Sequence, residues 1–342
     1  MIAQAAVYSR PMAGLGISLP FVPTFTSDEL VALAREVEAR GYRSAWMGES
    51  GGTDAVTVMT LMAAHTSRLQ VATAVLPIQT RTPVVLGMTA ATLGHIAPGR
   101  FSLGLGLSSR AIVEQWNGLT FTPALTQLRE AVQVIRAVLS GERVNFEGCF
   151  YTVRNFRLLI PPPPTPVPIV LAALGDSALR LAGEIADGVL MNWIGPETVP
   201  HAIAQVEAGA RRAGRTLDGF EIGAFIRTCV TDAPEAARQS LARDVTGYTT
   251  VDAYAAYFRR SGFADEIDAA QAAWKAGDRA GAVGRLSPRM LDALGVVGPE
   301  AYCRERVAEF SRAGLTMPVV VPFAPEGDRK ASILRTVRAF PG

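Results

Sequence analysis

The stretch RLQVATAVLPIQTRTPVVLGMTAATLGHIAPGRFSLGLGLSSR, residues 68–110, decides the fold. Its two short runs rich in Val, Leu and Ala, Leu69–Leu76 and Phe101–Leu107, do not alternate with polar residues. Runs of this kind are typical of parallel strands that are buried on both faces. Between them, Pro83 suits the first turn of a helix and Pro98-Gly99 suits its end. The stretch is therefore predicted to be a strand–helix–strand unit.

Similar units recur along the chain. The other apolar runs are Gly14–Pro20, Ser44–Gly48, Pro168–Ala172, Val189–Trp193, Phe220–Val230 and Met317–Pro322. Eight short strands that alternate with helices predict an α/β fold, the (β/α)8 TIM barrel, with an open doubly wound sheet as the alternative. We expect one domain over residues 1–342, with a hairpin insertion at about 144–166 and a strandless helical insertion at about 249–297. Ser27 is expected to cap the first helix and Asp54 the second.

Charge and cysteine content argue against several classes of function. The 33 Lys and Arg residues nearly balance the 31 Asp and Glu residues, so no electrostatic case exists for nucleic acid or an anionic membrane. No run approaches the roughly 20 apolar residues of a membrane span, and no signal peptide is evident. Cys149, Cys229 and Cys303 match no metal spacing and fit a reducing compartment. We expect a cytoplasmic protein that acts on a small molecule.

Few strong acids or bases follow the predicted strands, where a barrel carries its functional loops. His65, His95 and His201 all lie elsewhere, so neither a metal site nor a histidine-based triad is expected. A cofactor that brings its own reactivity fits this composition better. Glu49, which is followed by Ser50, is the best candidate acid or base. The alternative for Glu49 is a carboxylate that stabilises its loop.

Two glycine-containing turns are candidates for ligand binding. In LAALGDS, residues 171–177, a strand leads through small residues into a helix, whose first N–H groups could hold a phosphate. An ordinary turn capped by Asp176 or Ser177 explains the same pattern. In GLGLSS, residues 104–109, the glycines lack the G-x-G-x-x-G spacing of a dinucleotide-binding loop.

Some larger side chains near strand ends have two interpretations each. Arg81 and Arg110 could hold an anionic group, or they could be solvated surface arginines. Trp46, Trp116 and Trp193 could form the walls around a flat ring, or they could belong to the core. The sequence pattern does not choose between these readings.

Five segments carry a family resemblance that covers nearly the whole chain. They are ARGYRSAWMGES (39–50), the stretch from VATAVLP to EQW (71–116), VNFEGCFYTV (144–153), PIVLAALGDSALRLAGEIADGVLMNW (168–193) and ADEIDAAQAAWKAGDRAGAV (264–283). In these segments the chain resembles the bacterial luciferase-like superfamily. The resemblance is to its deazaflavin-dependent branch, with the methylenetetrahydromethanopterin reductase-like oxidoreductases.

The resemblance implies a TIM barrel that holds coenzyme F420 or, in related branches, FMN, with the flat ring over the barrel mouth. It also implies a non-proline cis peptide between Ala74 and Val75, which forms a bulge behind the ring. Two loops are implied to contact the cofactor, the second near its phosphate. Their residues are Gly106, Leu107, Ser108 and Ser109, and then Ala172, Ala173, Leu174, Gly175 and Asp176.

At two positions the chain departs from the pattern of the family. Many members carry Asp-His at the end of the second strand, where this chain has Glu49 and Ser50. Some deazaflavin sugar-phosphate dehydrogenases have a glutamate where this chain has Ser109. Both departures argue against oxidation of a sugar phosphate. By position and acidity, Glu49 becomes the expected proton donor.

Three hypotheses about function follow. The leading one is an F420-dependent oxidoreductase that moves a hydride between C5 of the deazaflavin and a small organic substrate, with reduction of C=C or C=N bonds favoured. The alternative is an FMN-dependent monooxygenase of the same fold. A third is a catalytically silent flavin-binding or structural homologue. A homodimer is expected because members of the family commonly form dimers.

Overall fold

Parallel strands alternate with helices in the computed structural model, which describes residues 14–19, 24–122, 125–325 and 327–340. The strands are β1 (Gly16–Ser18), β2 (Ser44–Met47), β3 (Gln70–Thr73), β4 (Leu76–Pro77), β5 (Phe101–Gly106), β6 (Val144–Glu147), β7 (Thr152–Phe156), β8 (Ile169–Ala172), β9 (Gly188–Asn192), β10 (Glu221–Val230), β11 (Gly295–Gly298) and β12 (Met317–Pro322).

The described residues also form α-helices. They are α1 (Ser27–Ala39), α2 (Ala55–His65), α3 (Pro83–Ile96), α4 (Leu125–Leu139), α5 (Asp176–Ile185), α6 (Val199–Arg212), α7 (Pro234–Thr249), α8 (Asp252–Phe258), α9 (Ala264–Lys275), α10 (Arg279–Val283), α11 (Pro288–Leu294), α12 (Glu300–Arg312) and α13 (Arg329–Ala339). Short π-helical turns occupy Ala111–Trp116 and Arg259–Phe263, and a 3-10 turn occupies Pro196–Thr198.

Eight of the described strands close into a parallel barrel, in the order β1, β2, β3, β5, β8, β9, β10 and β12. Pairing of Gly16 with Val319 joins β1 to β12 and completes the circle. The predicted TIM barrel is confirmed, and the open doubly wound sheet is excluded. Because all eight strands are parallel, their carboxyl ends open at one mouth of the barrel.

The apolar runs lie in the core, as the absence of alternation predicted. Val71, Leu103 and Ile169, from three neighbouring strands, are fully buried. Helices pack on the outer face of the strands while side chains from the inner face fill the barrel, so both faces exclude water. Within the described ranges, none of the helices has the length and apolar composition needed to span a membrane.

The first helix begins one residue earlier than predicted. Thr26, rather than Ser27, is the N-cap of α1, because its hydroxyl accepts a hydrogen bond from the N–H of Glu29 and the Glu29 carboxylate accepts one from the N–H of Thr26. This reciprocal capping box requires an acid three residues after the cap, a spacing that Thr26 has and Ser27 lacks. The prediction for α2 is confirmed, since the Asp54 carboxylate accepts from the N–H of Thr57 at 2.7 Å.

The predicted hairpin insertion is present as β6 and β7. Its turn is held by the buried carboxylate of Glu130 on α4, which accepts the backbone N–H groups of Cys149, Phe150 and Tyr151 at 2.7, 2.9 and 3.2 Å. The hairpin is therefore attached to α4 by hydrogen bonds to its turn, and the Tyr151 hydroxyl also donates to the carbonyl of Ile78 at 3.1 Å.

The helical insertion predicted at about 249–297 is not strandless, because a strand forms at its end. Residues from α7 to α11 are mainly helical, but Gly295–Gly298 forms β11, which pairs in parallel with β10 from Arg227 to Val230. The reason lies in β10, which extends beyond β9: their pairing stops at Phe225. The backbone groups along this free edge need partners, and β11 supplies them.

The third barrel strand is interrupted by a bulge. β3 ends at Thr73, the Ala74–Val75 peptide is cis, and the strand resumes as β4. Across this gap the Thr73 hydroxyl donates to the carbonyl of Gly104 at 3.0 Å and accepts from the N–H of Gly104 at 2.8 Å. A Cβ atom on Gly104 would lie 1.8 Å from the Thr73 carbonyl oxygen, and one on Gly48 would lie 2.7 Å from the Ala74 carbonyl oxygen. The bulge therefore requires glycine on both neighbouring strands.

Substitution of Gly104 tests this requirement. We expect Gly104→Ala to lower the free energy of unfolding by about 3 kcal/mol or more, because the new methyl group would overlap a backbone oxygen that cannot move away. Gly247→Ala is the control, because a Cβ there meets nothing within 4 Å and its α-helical site favours alanine by up to about 1 kcal/mol. Urea unfolding of both variants measures the difference. Equal stability of the two variants would contradict the close approach.

Candidate functional site

A cavity of about 1360 Å³ occupies the mouth of the barrel. The loops after β2, β4 and β5 form one wall, and β9, β10, α7 and α8 contribute to the opposite wall. Seven residues that the sequence analysis selected line this cavity together: Glu49, Ser50, Ala74, Val75, Leu107, Ser108 and Ser109. Phe21, at the end of the first predicted strand, lies outside the described residues.

The remaining predicted cofactor residues do not line the cavity directly. A Cβ on Gly106 would approach Val75 Cγ2 to 2.6 Å and Ala172 Cβ to 3.2 Å, so Gly106 lies between these two side chains. Ala173 is buried, and Leu174 packs against the main core. Gly106 therefore lies directly behind the cavity wall at Val75, whereas Ala173 and Leu174 belong to the core.

The beginning of α5 has open space around it. Gly175 is the N-cap without a side-chain cap, and a Cβ there would meet nothing within 4 Å, so neither Asp176 nor Ser177 caps the helix. The Asp176 carboxylate instead lies 3.0 Å from Nε2 of His201, and this hydrogen bond lowers the pKa of Asp176. A phosphate bound at these N–H groups would therefore have a carboxylate and an imidazole as neighbours. The histidine comes from α6, and its sequence position gave no sign of this placement.

Glu49 is held by an arginine. Arg81 Nε and Nη2 donate to the two carboxylate oxygens of Glu49 at 2.9 and 2.8 Å, and Arg81 also pairs with Asp54. The hydrogen bond to Glu49 raises the pKa of Arg81. The pair is bidentate, with one Arg81 nitrogen for each Glu49 oxygen, which is the geometry of a guanidinium–carboxylate ion pair. The backbone N–H of Glu49 donates to the carbonyl of Val75 at 3.3 Å, which ties this loop to the bulge.

A second cavity of about 560 Å³ lies on the outer side of Glu49. It shares Glu49 and Ser50 with the first cavity, and Arg81 and the exposed Trp116 also line it. Arg81 therefore faces a cavity, although its charge is already shared by two carboxylates. Of the three tryptophans considered, Trp116 is the one that forms a wall here.

The other tryptophans and Arg110 do not line either cavity. Trp46 is buried in the core, where its Nε1 donates to the hydroxyl of Ser44 at 2.8 Å. Trp193 is fully buried behind the cavity wall. Arg110 is exposed and pairs with Glu114 at 2.7 Å, one helical turn away. The surface interpretation therefore holds for Arg110, and the core interpretation holds for Trp46.

Sequence reasoning missed the residues of the opposite wall. Asn192, Arg227 and Tyr254 line the cavity there. Arg227 is only 8% exposed; its Nη1 donates to Asn192 Oδ1, and its guanidinium lies 3.6 Å from the ring centroid of Trp193. Asn192 Nδ2 donates to the hydroxyl of Tyr254 at 2.9 Å. A charged residue inside the apolar run FEIGAFIRTCV was an available signal for Arg227, whereas nothing in the local sequence marked Tyr254.

The side chains around the bulge fit a flat ring with polar edges. Val75, Leu107 and Ile112 supply apolar surface, and Ser108 and Ser109 supply polar groups. Behind this loop, Gln79 Oε1 accepts from the N–H of Ser108 at 3.2 Å, and among the described residues no acceptor pairs with its buried Nε2. Across the described part of the chain, no group of three His, Cys, Asp or Glu side chains could hold a metal.

Asp54 offers a test of the ion pairs beside the site. Burial opposes its ionisation, but hydrogen bonds from Thr57 and the charge of Arg81 outweigh burial and lower the pKa of Asp54. A lowered pKa means that the carboxylate stabilises the fold above the ordinary Asp pKa of about 3.9, and that this stability is lost as the pH falls.

We expect Asp54→Ala to lower the free energy of unfolding by about 1 kcal/mol at pH 7, because α2 loses its cap. Asp54→Asn keeps the capping oxygen and loses only the charge. Its stability deficit relative to the original protein should be largest at neutral pH and should vanish as the pH falls below about 3.9. Chemical denaturation across pH 3–7 measures this; a deficit for Asp54→Asn that grows in acid would contradict the pairing.

Comparisons with known proteins agree with this architecture. The sequence model of the family described as luciferase-like monooxygenase matches residues 8–317. A Mycobacterium tuberculosis protein, provisionally named a coenzyme F420-dependent oxidoreductase, is 28% identical to this chain over 94% of the chain and 98% of that protein. The 5,10-methylenetetrahydromethanopterin reductase of Archaeoglobus fulgidus is 27% identical over 92% of this chain and 95% of that protein.

A solved structure is similar along the same length. The coenzyme F420-dependent tetrahydromethanopterin reductase from Methanopyrus kandleri superposes with a TM-score of 0.76 and 25% sequence identity. The superposition covers 96% of this chain and 97% of that one. The similarity therefore includes the barrel together with its insertions.

Proposed function

The chain belongs to the luciferase-like monooxygenase family, and from this premise we propose that it is an F420-dependent enzyme that transfers a hydride to or from a small organic substrate. That it is an oxidoreductase follows from its relatives, which are named as F420-dependent oxidoreductases and methylenetetrahydromethanopterin reductases. We favour reduction of a C=C or C=N bond, in line with the sequence-based hypothesis.

The observation that carries the proposal is the cavity beside the Ala74–Val75 bulge. Its wall combines a backbone bulge, apolar side chains and the hydroxyl groups of Ser108 and Ser109. In our proposal Val75 and Leu107 would hold the deazaflavin ring, and the cofactor, when bound, would supply the reactive carbon C5. The chain itself would orient the ring, exclude water and bind the substrate on the other side of the ring. The turn from Ala172 to Asp176 would lie towards the phosphate.

Glu49 and Ser50 keep their proposed catalytic role, with a refinement for Glu49. Because Arg81 holds the Glu49 carboxylate in a bidentate pair, the geometry supports a role in accepting or relaying a proton better than a role in donating one. Ser50, next to it on the cavity wall, has a hydroxyl that could pass a proton to the substrate. The homodimer and the cytoplasmic location stay predictions from the sequence.

Titration with the two cofactors tests the proposal. We expect F420 to bind in the micromolar range or more tightly, with a change in its absorbance, and FMN to bind at least about tenfold more weakly, a difference of about 1.4 kcal/mol. The family description favours the alternative, an FMN-dependent monooxygenase. Tight binding of FMN without affinity for F420 would establish that alternative and reject ours. Binding of neither cofactor would support a catalytically silent homologue.

Glu49→Gln tests the catalytic role of the carboxylate. We expect kcat with reduced F420 and a substrate to fall at least about 100-fold, the lower range for loss of a positioned acid–base group, with little change in the affinity for F420. Asp54→Asn is the matched control, because it removes the other carboxylate that pairs with Arg81 and leaves Glu49 in place. If the two variants have the same kcat, Glu49 has no part in the chemistry.

A further inference from the structure

The wall opposite the bulge carries two hydrogen-bond donors that the proposed cofactor site does not use. Arg227, near the middle of β10, and Tyr254, on α8, both line the cavity. A single side chain, Asn192 at the end of β9, contacts both of them. The three residues come from separate parts of the chain and form one connected group.

The hydrogen bonds of Asn192 determine the direction of every bond in this group. Arginine can only donate, so the Asn192 oxygen must face Arg227 and its NH2 group must face Tyr254. The hydroxyl oxygen of Tyr254 therefore accepts, and its own proton points elsewhere. Among the residues that the structure describes, no acceptor receives that proton. Burial raises the pKa of Tyr254 to about 12, so the hydroxyl keeps the proton at neutral pH.

Arg227 is also incompletely paired. Its Nε lies 3.4 Å from a carboxylate oxygen of Asp244, a long contact with a half-exposed side chain. Its Nη1 donates to Asn192, and its third nitrogen, Nη2, has no hydrogen-bond acceptor within the described ranges. The guanidinium stacks on Trp193, and Tyr248 also lies near it, at 5.6 Å. A guanidinium that is more than nine-tenths buried requires a fuller set of acceptors than these.

The buried guanidinium favours an anionic acceptor. Glu49, on the facing wall, is already held by Arg81, and the Asp244 carboxylate reaches Arg227 only through the long 3.4 Å contact. Nη2 of Arg227 and the hydroxyl of Tyr254 together suit a carboxylate better than a neutral amide.

The position of the group separates it from the proposed ring. In the barrel order, β10 lies four strands from β3, which is diametrically opposite in a barrel of eight. A molecule bound between the two walls would have the Ala74–Val75 bulge on one side and Arg227 on the other.

We propose that Arg227 and Tyr254, oriented by Asn192, form a subsite that binds a carboxylate group of the substrate. That the bound carboxylate belongs to the substrate rests on the proposed function. That the subsite binds a carboxylate is independent of the proposed function. Two donors placed here would also stabilise negative charge on an oxygen conjugated with the bond that is reduced. The substrate class is then a small unsaturated carboxylic acid.

The experiment compares a carboxylate with its neutral amide. Cinnamate and cinnamamide are titrated into the protein by calorimetry, without cofactor and with bound F420. We expect cinnamate to bind at least about tenfold more tightly than cinnamamide. Tyr254→Phe and Arg227→Gln should each weaken cinnamate binding at least about tenfold, as loss of a hydrogen bond to a charged group does, and change cinnamamide binding much less.

Tyr257→Phe is the matched control. Tyr257 lies on the same helix, but its hydroxyl contacts Thr198 at 3.2 Å and it is not part of the described cavity lining. Loss of the Tyr257 hydroxyl should change cinnamate affinity less than twofold. No preference for cinnamate over cinnamamide in the original protein overturns the proposal. Equal losses of cinnamate affinity in Tyr254→Phe and Tyr257→Phe overturn the proposal as well.

F420 titrations of the same variants separate this proposal from the previous one. We expect Arg227→Gln and Tyr254→Phe to bind F420 as the original protein does. If they lose affinity for F420 and keep it for cinnamate, the two donors bind the cofactor and the substrate subsite is rejected. If the original protein binds cinnamate through these residues but does not bind F420, the carboxylate subsite stands and the F420 proposal fails.

Discussion

The mouth of this barrel depends on the contact between Thr73 and Gly104. A parallel barrel needs an unbroken circle of backbone hydrogen bonds, yet the third strand is interrupted where the chain bulges into the cavity. The Thr73 hydroxyl replaces the missing ladder bonds by pairing with both backbone groups of Gly104. Without a Cβ on Gly104 and Gly48, the bulge can lie between its neighbours. The proposed cofactor wall is therefore a consequence of how the barrel closes.

Much of the fold could be predicted because the pattern that encodes it is local. A fully buried strand such as Phe101–Gly106 differs from an amphipathic helix within a window of six to ten residues. The larger error arose where the deciding interaction is not local. Gly295–Gly298 is a strand because the far end of β10 offers a free edge, and a run of four residues after a helix carries no sign of that edge. The N-cap of α1 was the other error, and its deciding interaction is local: Thr26 and Glu29 are three positions apart and form a reciprocal capping box.

The residues of the site also divide into those that the sequence could indicate and those that it could not. Glu49 and the turn after β5 could be found because they directly follow apolar runs, and the family resemblance supplied the bulge at Ala74–Val75. The opposite wall could not be found. Asn192 is separated from Arg227 by 35 positions and from Tyr254 by 62. Hydrogen bonds over such distances follow from the closure of the barrel and the packing of α8, and a sequence window contains neither.

The two walls differ in what they offer to a molecule between them. On the bulge side, Glu49 is held by Arg81 in a bidentate pair and its backbone N–H is bound to the carbonyl of Val75, so the serine hydroxyls are the donors that this side chain and loop leave available on the wall. On the other side, Asn192 donates to the hydroxyl oxygen of Tyr254, so the proton of that hydroxyl points away from Asn192. A reduction needs a hydride on one face of the substrate and stabilisation of the resulting charge. The donors opposite the bulge would stabilise that charge without a histidine. A barrel mouth poor in acids and bases can therefore support the chemistry we propose.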